Sequence, residues 1–399
     1  MNHPVISQRG LDTPSSPIRK LAPFAEEAKA AGRKVYHLNI GQPDIETPKE
    51  FFEAVKAFDN PVVAYNPSNG IPPFLRQLRE YYHRRGLTQV KTEDIMVTTG
   101  GSEAVIFSMM AVTSPGDEII ALEPFYPNYN GFATMAGVKI VPVRTEASNG
   151  YRLPAAGEIE ARITGKTKAI LICTPNNPTG TVFNHEEMTV IKDIALKHGL
   201  FVLSDEVYRE FAFDNAAVSV LSFPELAEHA IVMDSLSKRY SACGARIGCI
   251  VSKNQELMQT VLKFGQARLC PPTLEQVASA AVVEVGDKYF EGMINEYKSR
   301  RDVLYAGLTQ IPGVEVKKPG GAFYMMVTFP VEDIEDFTKW LLSEYHDNGE
   351  TVMMAPGPGF YATPGSGKQE ARIAYVLKKE DLARAVEILK KALNVYLNR

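Results

Sequence analysis

Cysteine, tryptophan and histidine are scarce in this chain, with four, one and seven among 399 residues. The cysteines, Cys173, Cys243, Cys249 and Cys270, show no paired metal spacing, and the simplest reading for a cytoplasmic protein leaves them unpaired. They read as reduced core thiols. The histidines are scattered, none at metal-ligand spacing, so no metal site is expected. No apolar run approaches the roughly 20 residues that a membrane-spanning helix needs. The start, Met1-Asn2-His3-Pro4, lacks a basic stretch followed by an apolar core, so no secretion signal is expected and a cytoplasmic location is. An excess of one charge is also missing. With 43 basic and 47 acidic side chains the net charge is −4, which gives neither nucleic acid nor an anionic membrane a reason to bind. No internal repeat or low-complexity tract is visible.

What is present suits a globular protein: 45% hydrophobic and 23% charged residues, in a chain long enough for two domains. Pro17 to Gly32 carries a helical pattern, and Val35 to Ile40 reads as a strand leading into Gly41-Gln42-Pro43-Asp44, a sharp turn. From about Asp94 a strand–loop–helix rhythm sets in. Short apolar strands are predicted at 94–98, 118–122, 168–173, 200–203 and 230–234, followed by one at 248–252. A long helix is predicted over Lys288 to Leu308. Further strands near 322–328, 351–354 and 371–375 precede a last helix from Lys379 to Leu397.

The chemistry-bearing residues follow the strand ends. Gly100-Gly101-Ser102-Glu103 opens an apolar helix. Backbone N–H groups at a helix start lack internal partners and carry partial positive charge, so the turn suits phosphate, although Ser102 fits a plain helix cap equally well. Tyr126 follows the next strand. Thr174-Pro175-Asn176-Asn177-Pro178-Thr179-Gly180 stops regular structure and leaves an asparagine amide at the strand tip. Asp205 ends a buried apolar run, where a carboxylate is costly without a partner. Ser235-Leu236-Ser237-Lys238, with Arg246 beyond it, ends another. Hydroxyls and a guanidinium suit a phosphate, and an amine desolvated beside cations is able to attack a carbonyl. Arg372 lies inside an apolar strand pattern and needs an anionic partner, whether a substrate or an internal carboxylate. In open α/β sheets ligands bind along the carboxyl edge of the strands, and Gly101, Tyr126, Asn177, Asp205 and Lys238 all fall there.

Taken in order, these strings resemble the class I/II aminotransferases, pyridoxal-phosphate enzymes of fold type I that include aspartate aminotransferase, from about Pro17 to the C-terminus. The resemblance implies a large α/β domain with a mostly parallel sheet flanked by helices, and a smaller α+β domain. The implied division is 1–45 for an N-terminal arm and part of the small domain, 46–286 for the large cofactor-binding domain and 287–399 for the small domain. It implies Lys238 as the lysine that holds pyridoxal 5′-phosphate as a Schiff base, with Arg246 eight positions on and Ser235 three before it on the phosphate. Gly101, Ser102, Glu103 and Ser237 belong to the same cofactor-binding set. Tyr126 takes the place of an aromatic stacked on the ring, often tryptophan in the family. Asn177 and Tyr208 match the contacts to the phenolic oxygen, and Asp205 the partner of the protonated ring nitrogen, so that Lys238, Asp205 and Tyr208 are the catalytic set. Tyr65 matches a tyrosine that reaches the phosphate in the neighbouring subunit, implying a homodimer with shared active sites. Gly41, Asn177 and Arg372 match the substrate-binding positions, with Arg372 as the fork for the α-carboxylate.

The implied activity is amino-group transfer from an L-amino acid, by default aspartate, to a 2-oxo acid such as 2-oxoglutarate by a ping-pong route. A β-lyase or an aminocyclopropane-carboxylate synthase on the same fold is the alternative. Acidic substrates need a second cation, and Arg268 is the candidate by loop position. Two other strings carry nothing: Gly357-Pro358-Gly359 lacks the helix and acid of a dinucleotide fingerprint, and Gly367-Lys368 is followed by Gln369 where a phosphate loop has Ser or Thr.

Overall fold

The computed structural model describes residues 3–399. Thirteen strands run in chain order: β1 (Lys34–His37), β2 (Ile95–Thr98), β3 (Glu118–Glu123), β4 (Lys139–Arg144), β5 (Thr167–Cys173), β6 (Phe201–Asp205), β7 (Ala230–Ser235), β8 (Gly248–Val251), β9 (Glu315–Val316), β10 (Tyr324–Thr328), β11 (Glu350–Met353), β12 (Ala355–Pro356) and β13 (Glu370–Ala374).

Seven of them form one sheet in the order β2-β8-β7-β6-β5-β3-β4. The pairs from β4 through β7 are all parallel. Strand β8 is antiparallel to both β7 and β2, so β2 points the same way as the parallel strands. The carboxyl ends of β2, β3, β5, β6 and β7 therefore share one edge of the sheet. The strands are apolar at nearly every position because both faces are covered. Val232, Val202, Ile170 and Ile172 pack into one core, and Ile231, Met233, Leu203 and Leu171 into the other, on the opposite face. This is the α/β architecture expected from the sequence.

Strand β4 has no counterpart among the sequence expectations. It carries Pro142, which has no N–H for a ladder, and it is tolerated because β4 is the edge strand. At the N-terminus the expected helix is shorter: Ala22–Ala30, with Pro17 to Leu21 forming turns before it.

A four-stranded sheet, β12-β13-β10-β9, and the pair β1-β11 lie outside the large sheet. β1 and β11 are parallel, so the N-terminal segment is sewn to the C-terminal third of the chain. That pairing carries the chain into Gly41 beside the large sheet's carboxyl edge. The helix Asp287–Leu308 runs between the two parts. No helix among the described residues is long and apolar enough to cross a membrane.

Candidate active site

The carboxyl edge of the large sheet opens into a cavity of about 960 Å³, closed on its far side by the N-terminal segment and by β10 and β13. Strand β7 ends in Ser235, whose hydroxyl accepts from the Ser237 N–H at 3.1 Å and starts the one-turn helix Leu236–Arg239. That turn aims Lys238 into the cavity, where Nζ donates to the Gly41 carbonyl at 2.8 Å. Glycine is required at 41, because a Cβ there would overlap the Tyr324 hydroxyl.

At one end of the cavity lies an anion cradle. The helix Gly100–Val112 presents Gly101 and Ser102 at its start, facing Ser235, Ser237 and Arg246. The approach is tight. A Cβ at Gly248 would press on the Gly100 and Gly101 backbone at 2.6 and 2.8 Å, and one at Gly100 would strike the Arg246 guanidinium. Arg246 is held by Nη1 donating to the Cys243 carbonyl at 3.0 Å.

The floor carries Asp205, the last residue of β6. The Tyr129 hydroxyl donates to Oδ2 at 2.6 Å and the Val207 N–H to Oδ1 at 3.2 Å. Burial pushes the Asp205 carboxyl up to about 6, against the pull of those two donors. A buried carboxylate without a cation partner is what a positive ring nitrogen would satisfy. Tyr208 Oη lies 2.9 Å from Tyr324 Oη, and both line the cavity.

Arg372, on β13, is 2% exposed. Its Nη1 donates to Asn177 Oδ1 at 2.9 Å and its Nη2 to the Asn39 carbonyl at 2.6 Å. A guanidinium has five N–H donors, and these bonds use two. Nε is buried without a partner. No carboxylate pairs with Arg372 among the described residues, so an internal salt bridge does not account for it.

Most of the positions singled out in the sequence meet here: Gly41, Gly101, Ser102, Tyr126, Asn177, Asp205, Tyr208, Ser235, Ser237, Lys238, Arg246 and Arg372 all line the one cavity. Three others lie elsewhere. The Glu103 carboxylate turns away, accepting from the Thr99 N–H at 2.8 Å and facing Arg268 Nε at 3.2 Å, so it does not meet the expectation of a cofactor contact. Arg268 is occupied by that pair and reaches the Val97 carbonyl at 3.3 Å, so within its own chain it does not face the cavity. Tyr65 is 80% exposed and outside the cavity. Tyr129, Asn39 and Tyr324 were not singled out. Tyr129 stands in the first turn of the helix Asn128–Ala136, which begins two residues after Tyr126.

The donor set fits pyridoxal phosphate, with a cradle for the phosphate, a carboxylate for the ring nitrogen, an amide and a phenol for the ring oxygen, and an amine for the aldehyde. The family model for aminotransferases of class I and II matches residues 33–389. This chain belongs to that family. The class I/II aminotransferase described here is 31% identical over 394 residues to an aspartate aminotransferase from Pyrococcus horikoshii, covering 97% of each chain. Among solved structures it is similar to a single mutant of Thermus thermophilus aspartate aminotransferase, with a TM-score of 0.89 and 28% identity over 98% of this chain and 100% of that one. An alanine aminotransferase from Pyrococcus furiosus gives a TM-score of 0.89 at 30% identity, with the same coverage. The aminotransferase is a pyridoxal-phosphate-dependent transaminase of fold type I, acting on amino acids and oxo acids.

Proposed function

We propose that this transaminase takes aspartate as amino donor and 2-oxoglutarate as acceptor, in a ping-pong cycle in which Lys238, Asp205 and Arg372 are the working residues. The observation that carries the residue roles is the Lys238 amine, 2.8 Å from the Gly41 carbonyl in a cavity it shares with a buried carboxylate and a buried guanidinium. The choice of substrate is supported by relatives named aspartate aminotransferase.

When bound, the cofactor supplies an aldehyde that accepts the amino group and a ring that withdraws electrons from the substrate Cα. Arg372 grips the α-carboxylate with the N–H groups left free by Asn177 and Asn39, and so fixes the orientation of the Cα–H bond. Lys238 Nζ, once neutral, is the group placed to take the proton from the substrate Cα and to hold it for redelivery as general base and acid. Asp205 keeps the ring nitrogen protonated, while Tyr129 holds the carboxylate in place. Asn177 and Tyr208 hold the ring oxygen. The helix start at Gly101 and Ser102, with Ser235, Ser237 and Arg246, anchors the phosphate.

The same reading divides the chain at about residues 45 and 286 and makes the protein a cytoplasmic homodimer in which Tyr65 serves the partner's phosphate. Support for the dimer is an exposed apolar run, with Val62, Val63 and Tyr65 at 63, 60 and 80% exposure. A panel of amino donors with 2-oxoglutarate tests the substrate. Aspartate is expected to give the highest kcat/KM. Release of ammonia and pyruvate without an acceptor would make the enzyme a lyase instead. Sedimentation at micromolar concentration tests the dimer.

A further inference from the structure

The outer wall of the cavity is formed by the N-terminal segment. Ser16, Ile18 and Arg19 face inward from the turns before the helix Ala22–Ala30, and Ala22, Glu26 and Lys29 follow at helical spacing. The charges on this wall are unequally placed. Lys29 pairs with Glu26 at 2.8 Å. Lys20 points away and pairs with Glu335. Arg19 lines the cavity and pairs with no carboxylate among the described residues.

The position of this turn is tied to the α-carboxylate anchor. Asn39 Nδ2 lies 3.5 Å from the Ile18 carbonyl, and the Asn39 carbonyl accepts from Arg372 Nη2 at 2.6 Å. The peptide leading into Arg19 and the guanidinium of Arg372 thus share one pivot. A substrate held by its carboxylate at Arg372 and by its amino group at Lys238 directs its side chain toward the remaining wall. That wall offers apolar Ile18, Ile40 and Met353 beside the polar tips of Tyr126, Asn128 and His37, and of its two cations, Lys29 and Arg19, Lys29 is paired with Glu26 and only Arg19 has no carboxylate partner among the described residues. A carboxylate entering such a space needs a cation to replace its water.

We infer that Arg19 determines specificity by binding the distal carboxylate of dicarboxylic amino acids and oxo acids. It stands in the role that the sequence suggested for Arg268, which Glu103 occupies. The inference rests on the reading of Arg372 as the α-carboxylate site. Arg19 is exposed and makes only backbone hydrogen bonds, to Ser16 and Ala22, so its replacement leaves the fold intact.

The test compares half-reactions of the holoenzyme, followed by cofactor absorbance, with aspartate and with alanine in wild type, Arg19→Leu and Arg19→Lys. In Arg19→Leu the kcat/KM for aspartate is expected to fall about 10- to 100-fold, the size of a lost charge-assisted hydrogen bond, while that for alanine changes less than about threefold. Arg19→Lys is expected to recover part of the loss, keeping the charge without the fork. Equal losses for both substrates, or no loss for either, would overturn the role of Arg19 while leaving the transaminase reading in place. A wild type that accepts alanine but neither aspartate nor 2-oxoglutarate would overturn the acidic-substrate reading and Arg19 with it.

Discussion

The Tyr129 hydroxyl donates to Asp205 Oδ2 at 2.6 Å, joining a helix on one side of β3 to the end of β6. Both groups are buried. Desolvation pushes the tyrosine well above its ordinary range and the carboxyl up to about 6. The donated hydrogen bond stabilises the ionised carboxylate, so it opposes the rise. Tyr129→Phe removes it and lets the Asp205 carboxyl rise further. The expected result is a loss of kcat of about 10-fold at neutral pH, in the range found for groups that orient a first contact. The acid limb of the pH–rate profile is expected to move to higher pH, because ionised Asp205 then appears only at higher pH. A loss of rate with an unmoved limb would make Tyr129 a packing residue.

The same burial predicts a conflict between stability and function. Asp205 has a folded-state pKa of about 6 against an ordinary 3.8, so its ionisation opposes folding of the cofactor-free protein above that range. The penalty is complete above pH 6 and vanishes as pH falls below 4, where the group is protonated in both states. Asp205→Asn is therefore expected to stabilise the apoprotein by on the order of 2 kcal/mol at pH 7. The gain should shrink between pH 6 and pH 4, as measured by urea unfolding. Transamination by the same variant should be nearly abolished.

Lys238 and Arg372 should fail differently. Lys238→Ala is expected to lower kcat by about 10³-fold or more, with borohydride no longer fixing cofactor to the protein. Full transamination by that variant would remove Lys238 from the mechanism. Arg372→Ala is expected to raise the KM for amino acids about 10- to 100-fold while cofactor affinity, followed by absorbance, stays within a few-fold. Equal loss of both would mark Arg372 as structural.

Beneath the site, Asp234 faces the core and is wholly buried. It accepts from Arg239 Nη1 at 2.7 and 2.8 Å and from the Tyr82 hydroxyl at 2.8 Å. Burial raises this carboxyl, but the Arg239 and Arg209 charges outweigh it and hold it below the ordinary range. The pair therefore contributes stability above the usual carboxylate range that is lost as pH falls through the depressed value. Asp234→Ala leaves Arg239 buried and unpaired and is expected to cost about 3–5 kcal/mol. Thermal unfolding at pH 7 checks it. A change below about 1 kcal/mol would show that water reaches Arg239.

The residues themselves determined six of the seven strands of the large sheet and the chemistry spaced along it. Apolar runs ending in Gly101, Tyr126, Asn177, Asp205 and Lys238 were legible because a strand covered on both faces has to be apolar, and a polar residue at its tip then stands out. Contacts between distant segments were not. Arg372 meets the Asn39 carbonyl across 333 positions of chain, and Tyr208 meets Tyr324 across 116. No local pattern encodes such pairs. Packing alone turned Glu103 and Arg268 toward each other and left Arg19 facing the cavity. Strand ends follow from local hydrophobic pattern, whereas the free cation on a wall is decided by which neighbours neutralise the others.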